Sequence, residues 1–315
     1  MSIRYNLDFV PAQIQPAINY KDLLVFSGSC FSEHISARLS DLNFRVADSA
    51  NGVVFNPLSM AETFMRALNH IDFNDNDLIH HNGLFHGKYH HGRYSGIRAS
   101  DVLHKMNHDL SEFRQNLKSA SHIFLTFGSA YAYFMDQEVL PVANCHKVPS
   151  DRFKKRLLTQ EEMMLTWHEV VKELKSLNPK VNIVTTVSPV KHLKDGVVEN
   201  SLSKSILIVL CHAMRSELDC QYFPAFELVQ DDLRDYRFYE KDGAHPNSLA
   251  IEYVFERFKL VCLDEQSQAF ASAVSEYKKM CAHKIINGDG EAYIKFMSSL
   301  EKKRDELNAL YGIEL

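Results

Sequence analysis

The sequence lacks several features that would direct its reading elsewhere. It has no C-x-x-C pair: Cys30, Cys145, Cys211, Cys220, Cys262 and Cys281 are scattered along the chain. That spacing excludes a dense disulfide framework and reads as reduced thiols. Positive charge is not in excess, with 35 Lys and Arg against 40 Asp and Glu for a net charge of −5. No basic stripe interleaves with aromatics, so no nucleic-acid partner is expected. Residues 1–11 hold no apolar run of signal-peptide length, and no segment approaches the roughly 20 apolar residues of a membrane span. A cytoplasmic protein without a membrane span is the expectation. Internal repeats and low-complexity tracts are missing too.

What is present is ordinary globular usage, 45% hydrophobic and 24% charged, over 315 residues. That is enough for one large α/β core with an appendage. Strand-like runs occur at 23–27, 44–47, 122–127, 181–187 and 222–229, and amphipathic helical stretches separate most of them. Such alternation predicts a parallel five-stranded sheet covered by helices on both faces. Asn56-Pro57 is a cap and first-turn proline before a helix over 58–68. Thr159-Gln-Glu-Glu162 is a capping box that opens the helix carrying Trp167. Residues 70–98, rich in His, Gly and Tyr, read as an inserted solvated or substrate-covering loop, and 131–144 as a local hairpin. The chain after Phe258 reads as helical, broken at Ile285-Ile286-Asn287-Gly288. The expected division is a catalytic domain over 1–262, containing the insert, and a helical C-terminal extension over 263–315.

Parallel topology would bring the loops after the strands to one edge of the sheet, where ligands bind. Gly28-Ser29-Cys30 follows the first strand, Gly128-Ser129-Ala130 the third and Ser188-Pro189-Val190 the fourth, and a loop with Asp242 and His245 follows the fifth. At a strand-to-helix turn the amides and helix dipole favour an anion, so the Cys30 thiol is expected to ionise easily and act as nucleophile. Ser29 would serve if a histidine removed its proton. A small-residue turn that merely packs helix on strand is the alternative. Asp242-Gly-Ala-His245-Pro246 spaces a carboxylate to orient an imidazole, with Pro246 starting the next helix; an exposed turn is the plainer reading. Five histidines (His80, His81, His86, His90, His91) crowd the insert, yet no metal-ligand pattern accompanies them, and neither metal nor cofactor is expected.

The run Gly28-Ser-Cys-Phe-Ser32 resembles the motif that names the GSCFA family, with serine at the last position in place of alanine. Agreement continues through Asn56-Pro-Leu-Ser59, Asn144-Cys-His-Lys-Val-Pro149, Ser188-Pro-Val-Lys-His-Leu-Lys-Asp195, Asn200, Lys204, Tyr222-Phe-Pro-Ala-Phe226 and Asp232-Leu-Arg-Asp-Tyr-Arg-Phe-Tyr239 to Asp242 and His245-Pro246. The family is similar to the SGNH/GDSL hydrolases. The resemblance implies a three-layer, flavodoxin-like α/β fold and aligns Cys30 with the nucleophilic serine and Asp242 and His245 with the family's Asp-x-x-His. It further implies an oxyanion hole from the Cys30 amide, Gly128 and an asparagine; Ala130 stands where that asparagine is expected, and Asn144 or His146 could replace it. Gly28, Ser129 and Ser188 are expected beside the substrate, with His86 and His91 lining the pocket and His192 a weaker candidate base.

The implied activity is hydrolysis of a small ester or acylated carbohydrate through Cys30 (or Ser29), His245 and Asp242. An acyltransferase using the same residues and a non-catalytic binding module on the same scaffold are the alternatives.

Overall fold

β-Branched and aromatic runs recur at the spacing of α/β units, and each pairs with a distant run because both of its faces are apolar. A computed structural model describes residues 7–136, 138–282 and 290–315. In chain order the strands are β1 (Leu23–Gly28), β2 (Arg45–Val53), β3 (Leu78–His81), β4 (Leu84–Gly87), β5 (Ser95–Gly96), β6 (His122–Phe127), β7 (Tyr131–Met135), β8 (Phe153–Leu157), β9 (Asn182–Val187) and β10 (Gln221–Tyr222). The helices are α1 (Cys30–Asp41), α2 (Pro57–Asn69), α3 (Ala99–Ser119), α4 (Gln160–Leu177), α5 (Val197–Leu218), α6 (Ala225–Glu227), α7 (Ser248–Cys262), α8 (Glu265–Cys281) and α9 (Glu291–Tyr311).

The central sheet runs β10-β9-β6-β1-β2, all parallel, which in chain order is the flavodoxin-like 2-1-3-4-5 arrangement. Every residue of β6 is buried, as a strand sandwiched between helix layers must be. One face packs on α2, α3, α4 and α5, where Trp167 meets Phe64 and Phe127 at ring distances of 5.7 and 5.4 Å. The other packs on α1, α7 and α8 through Phe26, Phe124, Phe258 and Phe270. The C-terminal helices belong to this second layer: Tyr311 of α9 lies edge-on to Phe270 and Tyr20, at 4.9 and 5.5 Å.

Helix starts follow the sequence chemistry. Asn56 accepts the Ser59 amide at 2.8 Å ahead of α2, and Thr159 and Glu162 form the reciprocal capping box of α4. Elsewhere the structure differs from the sequence reading. The fifth strand is two residues long. Phe223-Pro224 ends it, and 225–233 winds into α6 and a π-helical turn that buries Leu228 and Val229. β2 extends past residue 47 because a bulge opposite Phe26 and Gly28 takes up residues 49–52, with Gly52 at φ +70°. β7 pairs with β8, not within 131–144, leaving one bridge from Tyr133 to Val142. The histidine-rich insert is an antiparallel β3-β4-β5 sheet that buries His86 and His90, not a solvated loop. The helix after the Asp242 loop starts at Ser248, not at Pro246, and is capped by Asn247, which accepts from Leu249 and Ala250.

By length and composition α5 is apolar enough to cross a membrane, which the sequence reading had denied to every segment. Here it packs on α4 and β9 through Leu207, Leu210, Cys211 and Met214. The break expected at 285–288 lies outside the described residues.

Gly28 is the tightest joint of the sheet. A Cβ there would stand 2.2 Å from the Thr126 carbonyl oxygen, and its φ of +139° suits only glycine. Gly28→Ala is therefore expected to cost more than about 2 kcal/mol, from strain and the enforced opening of β1 from β6. An unchanged urea midpoint for that variant would show the joint to be looser than described.

Candidate active site

The carboxyl edge of the sheet collects four turns. Ser29 caps α1 in an extended conformation (φ −72°, ψ 169°), its amide donating to Thr126 O at 3.1 Å. Its hydroxyl is fully buried and has no partner among the described residues. Cys30, the first residue of α1, is half-buried. The two candidate nucleophiles thus differ in access, and the thiol is the more open.

The thiol's ionisation departs from the sequence expectation. Burial pushes Cys30 above its ordinary value and Glu33, in the same first turn, adds to that; the amides of Phe31 and Cys30 and the charge of Lys204 pull downward but do not prevail. The helix N-terminus acts in the expected direction, and desolvation outweighs it.

Asp242 and His245 are joined as their spacing implied. Asp242 Oδ2 lies 2.6 Å from His245 Nδ1, while Oδ1 accepts the amides of Ala244 and His245 at 2.9 and 3.0 Å. Those two amides, then the imidazole, hold the Asp242 carboxyl down to about 2. The turn is closed by Gly243, at φ +66°, and by the Glu240 amide on His245 O at 2.7 Å. Both side chains are about half exposed, so solvent reaches the pair. Nδ1 is engaged, which leaves Nε2 for proton exchange. The charge of His245 acts on His34 of α1 and on His192, which places the pair over the N-terminal part of α1 and the loop after β9. Among the described residues no hydrogen bond joins Cys30 Sγ to His245.

The loop after β9 is tied into this arrangement. The Lys191 amide donates to Ala244 O at 3.0 Å and the His192 amide to Asn200 Oδ1 at 2.8 Å. The His192 ring stands edge-on to Phe55 at 5.1 Å, and its Nε2 is buried without a partner among the described residues. Burial, aided by the charge of Lys204, drives this imidazole down to about 4, so it is neutral near pH 7. Ser188 is buried, its hydroxyl accepting the Val190 amide at 3.3 Å. Beneath the loop, Lys204 of α5 is 1% exposed, and its Nζ donates to Gly128 O at 2.6 Å and Ser188 O at 2.7 Å.

Gly128 does not offer the oxyanion donor expected of it. Its amide and that of Ser129 both donate to Phe55 O, at 2.9 and 3.0 Å. The Ser129 hydroxyl accepts the Tyr131 amide at 3.0 Å, and the Ala130 amide donates to Ser203 Oγ at 2.8 Å. This turn braces β6 against the start of α2. Asn144 caps a turn, accepting the His146 amide at 2.9 Å. His146 Nε2 bonds Gly87 O at 3.0 Å, and its ring stacks on His86 at 4.7 Å. His86 Nδ1 lies 2.7 Å from Ser95 Oγ, and the half-buried His91 donates its amide to Asn51 O at 2.8 Å. His86 and His146 thus serve to hold the insert on the segment 141–148. The sole grouping of possible metal ligands among the described residues, His108, Asp109 and Glu112, lies on α3 and not in the insert.

Two residues that matter here carry little local signal in the sequence. His192 looked like a loop histidine. Lys204 was visible only as a matching position, although a lone lysine at the helical spacing of Leu207 and Cys211 falls on the apolar stripe of α5.

The parallel 2-1-3-4-5 sheet, with the Gly28-Ser29-Cys30 turn after β1 and the Asp242–His245 pair late in the chain, is a flavodoxin-like α/β fold. The chain belongs to the GSCFA family, which it matches over residues 23–258. Among solved structures it is similar to one assigned as a GDSL-like lipase from Parabacteroides merdae, at 11% identity and a TM-score of 0.42, covering 78% of this chain and 99% of that one. It is also similar to one assigned as an acylhydrolase from Bacteroides fragilis (9% identity, TM-score 0.40, 84% and 92% covered). A third is a carbohydrate esterase family 3 protein from Talaromyces cellulolyticus (10%, TM-score 0.31, 80% and 99%). No curated protein matches the chain.

Three buried imidazoles give the fold a pH signature. His90, His146 and His192 fall to about 3, 4 and 4 from an ordinary 6.5, burial being the main cause of each. Between those values the unfolded chain binds more protons than the folded one, so stability is complete above about 6.5 and falls as pH drops toward 4. Urea midpoints measured from pH 7 to 4 are expected to decline through this window; a flat profile would mean that the native protein accommodates the charges.

Proposed function

We propose that the protein hydrolyses small esters, acylated carbohydrates among them, through Cys30, His245 and Asp242. The observation that carries this reading is the Asp242–His245 pair, with Nδ1 fixed by a carboxylate and Nε2 without a partner among the described residues, tied through Ala244 to the loop after β9. Cys30 is preferred to Ser29 because the Ser29 hydroxyl is fully buried.

In the first half-reaction the thiol sulfur attacks the acyl carbon, the C–S bond forms, and the alkoxide leaves with a proton delivered through His245. In the second, His245 takes a proton from water, hydroxide attacks the thioester, and the acid departs as Cys30 regains its thiol. Asp242 stabilises the imidazolium that appears in both halves. The Cys30 amide supplies one oxyanion donor. With the Gly128 amide engaged and alanine at 130, the neutral His192 imidazole, whose Nε2 lacks a partner, is the side chain suited to be the second.

A chromogenic acetyl ester tests the triad. Cys30→Ala and His245→Ala are expected to lower kcat/KM by at least about a thousandfold while the fold persists. Peptide mapping after an activated ester should find label on Cys30; label on Ser29 would reassign the nucleophile, and turnover intact in both variants would leave a binding module. Product analysis with and without a sugar alcohol separates hydrolysis from acyl transfer. His192→Ala is expected to lower kcat about a hundredfold with little change in KM, and equal loss in both parameters would remove it from the oxyanion site.

A further inference from the structure

β2 is the last strand on its side of the central sheet, and residues 45–50 form its open edge. Among the described residues, no hydrogen bond from their backbone reaches anything but β1. At the next residue the edge is closed, where Asn51 O accepts the His91 amide of the insert. An unpaired run of amides and carbonyls about 20 Å long is a template for one more strand. Both faces of this edge are hollow. Val46 packs with the α1 layer and Ala47 with the α3 layer, so successive side chains alternate between the two. A cavity of about 240 Å³ lies between Val46 and Asp48 and the Ser36 and Ser40 side of α1. Another, of about 280 Å³, runs along Ala47, Ser49 and Ala50 against α3. A strand added here would present its own side chains alternately to the two faces, one to each cavity.

Charge decides the occupant. Glu33 and Asp48 line one flank and Asp109 and Glu112 the other, against a single lining cation, Arg93. Arg93 leans on Glu33 at 3.7 Å, and Asp109 accepts the Tyr94 hydroxyl at 2.7 Å and Lys105 Nζ at 2.9 Å. Asp48 accepts only the Ser36 hydroxyl, at 3.1 Å, and the nearest cationic partner of Glu112 is His108, at 4.0 Å. Each flank thus keeps one carboxylate without a close lysine or arginine. A second copy of the chain laid edge to edge would bring these acids against their own counterparts, which disfavours it.

We propose that the β2 edge binds an extended peptide segment of a partner protein, which joins the sheet as a further strand and carries two adjacent basic side chains, one for Asp48 and one for Glu112. The main-chain ladder supplies affinity, and the two carboxylates supply selectivity. The charges of Arg45 and Asp48 on the same edge guard it against indiscriminate pairing. The surface stands apart from the hydrolase reading and does not rest on it, since none of Cys30, Asp242 and His245 lines either cavity.

The test uses the whole chain and a short fluorescent peptide, acetylated and amidated, with two adjacent lysines flanked by threonine and valine. Fluorescence anisotropy is expected to show saturable binding with a Kd below about 100 μM at low salt. Amide hydrogen exchange over residues 45–50 is expected to slow in the complex. Asp48→Lys and Glu112→Lys, both at exposed positions, are each expected to weaken binding about tenfold. The wild type is also offered the same peptide N-methylated along its backbone, which keeps its charge and cannot donate to a ladder. That peptide is expected to bind at least about tenfold more weakly. Equal affinity for the two peptides, or unchanged exchange over 45–50, overturns the added strand. Absence of binding at about 1 mM, or equal binding of a peptide with glutamate in place of lysine, overturns the basic partner. A concentration-dependent dimer that slows exchange over the same residues overturns the peptide in favour of a second copy.

Discussion

The approach of Gly28 to Thr126 is the constraint on which the site depends. No methyl group fits between β1 and β6 at that point, so the chain leaves β1 close against its neighbour and turns sharply into α1. The Ser29 amide then bonds the Thr126 carbonyl, which fixes the first turn of α1 and the Cys30 side chain with it. From the same edge, Gly128 and Ser188 turn their carbonyls to Lys204. The floor of the site is thus backbone held by backbone, with one lysine as the tie. Its upper wall is the loop after β9, bonded to the Asp242 loop from Lys191 to Ala244 and to α5 from His192 to Asn200. Rigid support below and solvent-reached loops above is how a site keeps its reacting atoms in register while admitting a ligand.

Electrostatics at this edge is a contest between desolvation and a few oriented groups. A helix N-terminus carries about half a positive charge, and at Cys30 that is not enough against burial and Glu33. At Asp242 the balance reverses, because the carboxylate sits in solvent and accepts two amides. The two halves of the site therefore stand in opposite dielectric surroundings. The half-buried sulfur is in a partly desolvated setting, while the carboxylate and the imidazole it holds face water.

Much of this was legible in the sequence, for identifiable reasons. The strands β1, β6 and β9 are long apolar runs between helical periods, and Asn56, Thr159 and Glu162 announce helix starts by local chemistry alone. Asp242 and His245 are also local, since three residues in a turn suffice to join them. What escaped depends on distant partners. β8 finds β7 across an excursion of seventeen residues that no turn signal marks. The run after Tyr222 is as apolar as a strand, but its side chains are claimed by the α1 and α7 layer, and Pro224 interrupts the ladder. In the insert, histidine and glycine suggested solvent, yet His90 packs on the rings of Phe73 and Tyr94 and His86 stacks on His146. The engagement of the Gly128 amide could not be foreseen from its motif, because its acceptor, Phe55, comes from another turn.

The second helix layer brings the two ends of the described chain together. Ile14, Ile18 and Tyr20 share a core with Phe255, Phe258, Phe270 and Val274, and Asn43 reaches the Glu314 carbonyl. On a ribosome, where residues emerge from the N-terminal end first, the face of β1 carrying Leu24 and Phe26 is covered only by α1 until α7 and α8 have appeared. The turn after β1 is synthesised well before α7 and α8, which complete its cover. Premature termination within α7 or α8 would release a sheet with one apolar side only partly covered, a species for chaperones and proteases.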